Sequence, residues 1–477
     1  MFDPLSGAFV TPNDPGVLSG SDSSSIQNAV DRAKKTGIGT VCIPAMNART
    51  GKPGWTIDKS ILLPSDITVV LYNCRMTMAD DVTESFFRTE NVFTEWGRDA
   101  KAEMRNVHLI GVGGAILDGG KKNALDETTA YRDGNPDASC NHPILFLNVR
   151  DFSVENLTIL NQRYWGMRFE YCKFGRISNI HTSVSGDRRN QDGINLRNGC
   201  NNIVIENITG QTGDDMIALS AIDASPDLFP TDPGSGCGTR EERKKYSLYI
   251  ENADQDIHTV VIRNVSGAAI RHPLVAMRNH NGAKVYNILV ENVMDTYFVD
   301  PAEYADVPRY ALVRIGNNNY WASRPSRMGE TYGITIRNLR ASYSLRAITV
   351  AATLKDCHFS DIGCFGLCET ALSFGPTWSG VCGASMENIL LDNVCVSCAD
   401  SDAVSCAIDF SLMGQDFRIR GLRIRHAALS GAACAVRLAG NAEIEMEDLR
   451  FDSLRKGPVE YMPRHPEASV SINGKKY

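Results

Sequence analysis

The chain of 477 residues is long enough for two or three ordinary domains or for one long repetitive domain. Its 43% of hydrophobic and 22% of charged residues is the composition of a soluble globular protein. The net charge of -7 excludes a broad nucleic-acid-binding surface, because such a surface needs clustered Lys and Arg. No apolar run reaches the roughly 18 residues that a transmembrane helix needs. We therefore expect neither a nucleic acid nor a membrane as partner.

The first 60 residues are predicted to form an extended lead-in and a short capping helix. In S-S-S-I-Q-N-A-V-D-R-A-K-K-T-G, serines precede apolar residues at helical spacing, and Gly37 follows as a stop. The N-terminus lacks the basic and apolar regions of a signal peptide, which predicts a cytoplasmic protein; a secreted protein whose signal had been removed would look the same. Among the 14 cysteines, Cys364 and Cys368, and Cys395 and Cys398, are close pairs, but no His cluster goes with them as in a zinc site. We therefore expect most cysteines to be small buried residues in a reducing compartment.

We predict coils over residues 61–455, and from about residue 105 one short β phrase recurs in them. An apolar alternation ends in Asn and a further apolar residue, as in N-I-V-I-E-N-I-T-G and T-V-V-I-R-N-V-S-G. Each unit is too short to bury its own apolar face, so the units must stack as coils. The marker residues, which we expect to form a ladder of stacked amides, are Asn156, Asn179, Asn207, Asn264, Asn292, Asn338 and Asn393.

This pattern predicts an all-β fold: a single-domain parallel β-helix over residues 1–477. A leucine-rich repeat would show an L-x-x-L-x-L phrase, which is missing, and a sandwich would show tight hairpin signals, which are scarce. Two insertions, residues 221–253 and 296–331, interrupt the repeat. Because they flank the suspected chemistry, we expect them to form the walls of a binding cleft.

Three aspartates spaced at the interval of the repeat are the candidate catalytic residues. Asp192 and Asp214 are 22 residues apart, within the similar phrases D-G-I-N-L and D-D-M-I-A-L, and Asp215 follows. If one coil takes about that many residues, the phrases lie one strand spacing apart, roughly 4.8 Å. Crowding raises the pKa of at least one carboxyl group, which supplies an acid for glycosidic cleavage, while another carboxylate activates water. A Ca²⁺ site or turn-capping aspartates would show the same spacing.

The phrases N-Q-D-G and G-D-D-M-I-A-L resemble the N-x-D and D-D motifs of family-28 glycoside hydrolases, the polygalacturonase family. The resemblance implies a right-handed parallel β-helix that hydrolyses pectic polymers with inversion, and we expect no metal ion and no cofactor. The family's later G-H-G and R-I-K motifs are matched in part. His272 stands between Arg271 and Pro273, and Arg314 precedes Ile315, with Gly316 in place of the lysine.

The resemblance assigns roles to four residues of the first two motifs. Either Asp214 or Asp215 would be the general acid, and the family's usual assignment favours Asp214. Asp192 and Asp215 would hold and activate the attacking water. Asn190 would help to position this group.

The resemblance also implies contacts with the substrate. His272 would tune the acid or hydrogen-bond the sugar, and Arg314 would bind a sugar carboxylate through its guanidinium. Arg271 and Asn190 complete the predicted substrate-binding set. Because Gly316 replaces the lysine, the sugar beside the cleaved bond could be galacturonate, a decorated residue or a neutral sugar.

The leading hypothesis is therefore a glycosidase acting on pectin-like oligo- or polysaccharides. A polysaccharide lyase or epimerase on the same fold would use Arg271 or Arg314 as base and hold Ca²⁺ on the aspartates. A non-catalytic β-helix, such as an adhesin or a tail-spike segment, would bind glycans without cleaving them. Sugar stacking and ordinary packing are the two alternatives for Tyr164, Trp165, Tyr320 and Trp321.

Overall fold

The structure is a computed structural model. It describes residues 6–120, 141–184, 190–222, 248–270, 272–297, 311–316, 324, 326–374, 385–397, 406–411, 418–439, 441–452, 454–461 and 468–477. The backbone packs into two compact units, Met1–Asp214 with Ala224–Asp254 and Asp215–Asp223 with Gln255–Tyr477. Both are built mainly of parallel β-strands, with short antiparallel pairs at Met46–Asn47 with Lys52–Pro53 and at Ser469–Ile472 with Lys475–Lys476. This confirms the all-β, parallel β-helical prediction, whereas the single domain stays a prediction. None of the helices in the described ranges has the length and apolar character needed to span a bilayer.

The first unit begins with the predicted capping helix, α1 (Asp22–Thr36). The Ser21 hydroxyl caps its N-terminus by accepting a hydrogen bond from Ser24 N at 3.2 Å. Gly37 ends the helix in the left-handed conformation, with φ of 71°. The buried apolar face consists of Ile26, Ala29, Val30 and Ala33. This face packs on the first strands of the unit, so the helix covers their apolar side chains as expected.

The strands of the first unit are short at its N-terminal end and reach 12 residues later in the unit. A 3-10 helix, Trp96–Arg98, lies among them. In chain order the strands are β1 (Thr40–Pro44), β2 (Met46–Asn47), β3 (Lys52–Pro53), β4 (Trp55–Ile57), β5 (Ile61–Leu63), β6 (Ile67–Tyr72), β7 (Arg75–Met78), β8 (Phe87–Thr89), β9 (Met104–Val112), β10 (Ile116–Asp118), β11 (Ile144–Leu147), β12 (Val149–Leu160), β13 (Met167–Glu170), β14 (Lys173–Ser183), β15 (Ile194–Leu196) and β16 (Asn201–Thr212).

Two parallel sheets organise the first unit. The long sheet includes β9, β12, β14 and β16, and the second sheet consists of β5, β8, β11, β13 and β15. Pairing is in register, so that Ile177 lies beside Val154 on one side and Ile205 on the other. Side chains between the sheets form the core. Its aromatic centre, with ring centroids 5.1–6.0 Å apart, consists of Phe146, Phe152 and Phe169.

The strands of the second unit alternate regularly between long and short. In chain order they are β17 (Ile217–Ile222), β18 (Ile257–Ala269), β19 (Val275–His280), β20 (Val285–Asp295), β21 (Val313–Ile315), β22 (Thr331–Ala341), β23 (Arg346–Val350), β24 (Leu354–Cys364), β25 (Thr370–Phe374), β26 (Met386–Ser397), β27 (Cys406–Phe410), β28 (Arg418–Ser430), β29 (Cys434–Leu438), β30 (Asn441–Phe451), β31 (Val459–Tyr461), β32 (Ser469–Ile472) and β33 (Lys475–Lys476).

The second unit repeats the same two-sheet plan. The even-numbered strands from β18 to β32 form its long sheet, and the odd-numbered strands from β17 to β31 form its second sheet. Each coil therefore runs along the long sheet, turns, and crosses the second sheet. On β28 the arginines face outward, and Arg425 pairs with Asp392 at 3.2 Å. This exposed basic face is compensated by neighbouring carboxylates and calls for no ligand.

The asparagine ladder is confirmed in both units. Asn179 Nδ2 donates to Asn156 Oδ1 at 2.8 Å, and Asn207 Nδ2 donates to Asn179 Oδ1 at 2.8 Å. In the second unit Asn292 donates to its counterpart one coil earlier at 3.0 Å and accepts from the one a coil later at 2.7 Å. All seven marker asparagines have φ between 53° and 60°. Asn tolerates this left-handed conformation, so the ladder fixes the same bend in each coil.

One rung of the ladder is not an asparagine. The interval of 55 residues between Asn338 and Asn393 contains two coils, and Asp361 occupies the intermediate position with φ of 56°. Asn393 Nδ2 donates to Asp361 Oδ1 at 2.7 Å. A carboxylate accepts this hydrogen bond as well as an amide does, which is why the repeat continues where the Asn pattern is interrupted.

A second left-handed bend lies near the start of the long-sheet strands and was missed by the sequence reading. Asn106 donates to Asp66 at 2.6 Å in the first unit. Asn287 donates to Thr259 at 3.1 Å in the second. Both bends pair side chains of different types, so no single residue type marks them in the sequence.

Most of the cysteines in the described residues are buried, as expected. All ten described cysteines are free; nine are buried and Cys395 is half-buried, which confirms most of them as packing residues. The insertions at 221–253 and 296–331 lie in large part outside the described residues. Their function as cleft walls stays a prediction.

We predict that the ladder contributes measurably to stability. Asn292→Ala removes two amide hydrogen bonds. It also places alanine, which disfavours the left-handed conformation more than asparagine does, at φ of 57°. The free energy of unfolding should fall by about 1–3 kcal/mol in urea denaturation. Asn292→Gly relieves the backbone cost alone and should lose less. An Asn292→Ala protein as stable as the parent would refute a stabilising ladder.

Candidate active site

The candidate residues lie in the turns that lead from the long sheet into the second sheet. Asp192 is two residues ahead of β15, and Asp215 is two residues ahead of β17. His272 is three residues ahead of β19. Within a unit, the parallel coils bring these turns to one edge of the second sheet. The fold therefore explains why sequence-distant polar residues gather there.

In the first unit, an amide network fixes the turn at Asp192. The Asp192 carbonyl accepts hydrogen bonds from Gly166 N at 2.8 Å and from Gln162 Nε2 at 3.3 Å. Gln191 Nε2 returns a bond to the Gln162 carbonyl at 2.8 Å. Asn190 begins the turn at φ of 55°. The Asp192 side chain is buried within this rigid frame, so the backbone sets its direction.

Asp214 is more accessible than the other two aspartates. It is half-buried, whereas Asp192 and Asp215 are buried. The Thr212 hydroxyl donates to the Asp214 carbonyl at 2.7 Å and so holds the backbone of the turn. A half-buried carboxyl group can meet a substrate oxygen without leaving its place.

In the second unit, Asp215 forms an ion pair with Arg278. His272 Nδ1 lies 3.7 Å from Asp215 Oδ1. Burial raises the pKa of Asp215, but the positive charge of Arg278, the nearby His272 imidazole and the charge of Arg314 outweigh it and lower the pKa overall. Asp215 is therefore held as a carboxylate, which suits a base better than an acid.

Arg278 was missed by the sequence reading. It lies on β19, where its side chain is half-buried and all the others are buried. A single charge within the buried phrase V-A-M-R-N-H is a pattern that could have identified it, because a strand accepts such a charge only with a partner. The partner is 63 residues away in sequence.

The other predicted substrate-binding residues are placed in part. Arg314 lies on β21, in register with Ala276, and its Nε donates to the Gly316 carbonyl at 3.2 Å. Its charge acts on Asp215, so the structure brings Arg314, His272 and Arg278 together around that carboxylate. Arg271 lies outside the described residues.

Gly316 stands where the resembled family has a lysine, and its backbone explains why. Its φ is 87°, and an added Cβ would lie 2.1 Å from the Ala352 Cβ. The Gly316 N–H donates to the Met277 carbonyl at 2.6 Å. A lysine would need the neighbouring coil to move, so this departure from the motif is built into the packing.

Asp215 and His272, with Asp214 next in the chain, are side chains of the types that bind metal ions. Arg278 already neutralises the Asp215 carboxylate. A cation at Asp215 would face this guanidinium at close range, so the charges of the second unit disfavour Ca²⁺ there.

The aromatic pair in the first unit is packed in the interior rather than exposed to a sugar. Tyr164 and Trp165 are buried and stack on each other with centroids 5.2 Å apart. His142 stacks on Trp165 at 5.4 Å. Ordinary packing therefore accounts for both rings, and the other two candidates, Tyr320 and Trp321, lie outside the described residues.

Comparison with known proteins gives a family match over part of the chain. Residues 56–229 match the model of glycosyl hydrolases family 28. A probable polygalacturonase of Arabidopsis thaliana is 24% identical over 196 residues, which cover 39% of this chain and 44% of that protein. The chain thus matches less than half the length of this curated relative.

Solved structures resemble the chain at low sequence identity. The surface adhesin PfbA of Streptococcus pneumoniae superposes with a TM-score of 0.51 at 12% identity, covering 96% of this chain and 95% of that one. A family 28 exopolygalacturonase of Yersinia enterocolitica gives 0.47 at 12% identity, with 98% and 78% covered. Endo-xylogalacturonan hydrolase of Aspergillus tubingensis gives 0.47 at 13% identity, with 89% and 96% covered. Of these three, PfbA alone exceeds a TM-score of 0.5, and at 12% identity its match shows a likeness of fold and nothing more.

The matched range contains Asn190, Asp192, Asp214 and Asp215, while His272 and Arg314 lie beyond it. The two motifs on which the resemblance was founded are thus the part that the family model recognises. Over residues 56–229 this chain resembles the glycosyl hydrolases of family 28.

Proposed function

We propose that the protein is a glycoside hydrolase that cleaves pectin-like oligo- or polysaccharides with inversion. The observation that carries the proposal is the charge state of Asp215, which Arg278 and His272 hold as a carboxylate directly after the half-buried Asp214. Cleavage of a glycosidic bond needs one carboxylic acid and one carboxylate, and the D-D pair offers two different environments for them.

In the proposed mechanism Asp214 is the general acid. It gives its proton to the glycosidic oxygen as the bond from that oxygen to the anomeric carbon breaks. A water molecule attacks the anomeric carbon from the opposite face and gives its proton to a carboxylate, Asp215 or Asp192. Attack opposite the leaving group inverts the configuration at that carbon.

The remaining residues act on orientation and charge. His272 and Arg278 keep Asp215 ionised, and Arg314 binds an acidic group of the sugar. Asn190 supports the turn that carries Asp192. Cytoplasmic location stays a prediction, and the free cysteines are compatible with it.

A lyase or epimerase reaction is the alternative that the charges disfavour. Such a reaction on the same fold would need a cation at the aspartates, and Arg278 occupies Asp215. The fold likeness to an adhesin does not by itself indicate a function. An activity assay therefore decides between glycan binding alone and glycan cleavage.

Asp214→Asn should lower kcat by about 10²- to 10⁴-fold, because an amide cannot donate the proton to the leaving oxygen. Reducing-sugar release from pectic oligosaccharides measures this. Asp31→Asn, on the exposed face of α1, is the matched control and should retain parental activity. Full activity of Asp214→Asn would remove Asp214 as the acid.

Arg278→Met should shift the acid limb of the kcat/KM profile to higher pH. Activity requires an ionised Asp215. Arg278 lowers the pKa of Asp215 and burial raises it, so the pKa should rise when Arg278 is removed. The pH dependence of kcat/KM measures the shift, and Arg420→Met, on the exposed face of β28, is the matched control. An unchanged acid limb would mean that Asp215 is not the group that must be ionised.

Chelation separates hydrolysis from elimination. Activity should survive EDTA, and the products should lack the ultraviolet absorbance of an unsaturated sugar, because no step of the proposed reaction needs a cation. Loss of activity with EDTA, restored by Ca²⁺ and accompanied by an absorbing product, would establish a lyase instead.

A further inference from the structure

Two arginines share one carboxylate on the outer face of the second sheet in the first unit. Arg168, on β13, donates to Glu170 Oε1 from Nε at 2.8 Å and from Nη2 at 2.5 Å. Arg197, directly after β15, has its Nε 3.7 Å from the same oxygen. The side chains of Arg168, Arg197 and Glu170 are only 14%, 13% and 4% exposed.

Among the described residues, this cluster contains one more positive charge than negative charges. Within the described ranges, Glu170 is the sole carboxylate that forms an ion pair with Arg168 or Arg197. A charge removed from water is costly unless an opposite charge meets it. The cluster is therefore arranged to receive one further anion.

Two buried donors near the cluster lack acceptors in the described part of the chain. Arg197 Nε is buried without a hydrogen-bond partner. Asn195 is 2% exposed, and its Nδ2 has no partner either. Asn195 lies beside Arg168 in register on the adjacent strand, so both side chains point to the same face of the sheet. An acceptor with two oxygens would satisfy these groups together.

Aromatic packing holds the arginines in place. Both guanidinium groups lie over the Trp165 ring, at 5.3 Å for Arg168 and 5.4 Å for Arg197. His142 Nε2 lies 3.3 Å from Arg168 Nη1. Burial, and then the charge of Arg168, hold the pKa of His142 well below its usual range, so this imidazole is neutral and adds no charge. Donors that are already held in place bind an anion with little further loss of side-chain conformational entropy.

The cluster adjoins the candidate active site along the stack of coils. Trp165 and Asp192 are each two residues ahead of their strand, β13 and β15, and these strands pair directly. One strand spacing, roughly 4.8 Å, separates the two coils. This step is comparable with the size of one sugar ring.

We propose that Arg197, Asn195 and Arg168 form a subsite for the carboxylate of a uronate residue that neighbours the sugar at the cleaved bond. The proposal rests on the proposed glycan substrate and deepens it. It also gives the chain a second place for acid recognition besides Arg314. Guanidinium groups bind a planar carboxylate through paired hydrogen bonds, which matches the donors present.

Binding calorimetry on the full chain tests the subsite without turnover. The probes are galacturonate trisaccharide, its carboxyl-reduced form and a sulfated neutral trisaccharide. The acidic trisaccharide should bind the parent at least about tenfold more tightly than the reduced form. Arg197→Met should reduce this preference severalfold, with the remainder due to Arg314, and leave binding of the reduced form unchanged. An equal affinity for the acidic and reduced forms in the parent, or a preference for the sulfated probe, overturns the assignment.

Stability separates ligand binding from a structural role of Arg197. Arg197→Met leaves the two Arg168–Glu170 hydrogen bonds in place and removes the surplus positive charge, so Tm should stay or rise. Asn195→Asp supplies the missing anion internally and should also raise Tm while weakening the acidic preference. A lower Tm for Arg197→Met with an unchanged preference means that Arg197 only supports Glu170, which overturns the proposal. Hydrolysis without acidic preference would overturn the subsite alone, whereas acidic binding without hydrolysis would overturn only the proposed activity.

Discussion

In-register stacking of parallel coils is the constraint on which the structure depends. Backbone hydrogen bonds between equivalent strands place equivalent side chains next to one another in successive coils. Apolar positions then form continuous columns in the core, and turn positions form rows at the sheet edge. The asparagine ladders stabilise the left-handed bends that keep the coils in this register. Polar side chains in equivalent turns of successive coils therefore lie along one edge of the sheet.

The same constraint determines the electrostatics of the site. A row of turns brings carboxylates to the edge, and strand side chains beside the row supply guanidinium groups. In the second unit Arg278 meets Asp215, and in the first unit Arg168 and Arg197 meet Glu170. The first pairing fixes the charge of a candidate catalytic group. The second leaves a positive surplus, which we interpret as a place for an acidic sugar.

Features set by local sequence could be predicted, and features set by distant pairing could not. The helix α1 and the ladder follow from capping residues and from Asn at a recurring position, and Asp192, Asp214 and Asp215 stand out by spacing. For Arg278 the local sequence shows a lone charge in an apolar phrase but not its partner, which precedes it by 63 residues with an insertion between them. The bend at Thr259 was missed because its rungs differ in residue type. The missing lysine at Gly316 was visible in the sequence, but its cause, contact with Ala352, depends on the next coil.

The central claim is that Asp214 and a carboxylate-activated water cleave a glycosidic bond in a single displacement. The measurement that tests it most directly is proton NMR of a pectic oligosaccharide during the first minutes of digestion, before the product anomers equilibrate. The account predicts that the first product has the anomeric configuration opposite to that of the cleaved bond. A first product of retained configuration, or an unsaturated one, would contradict it.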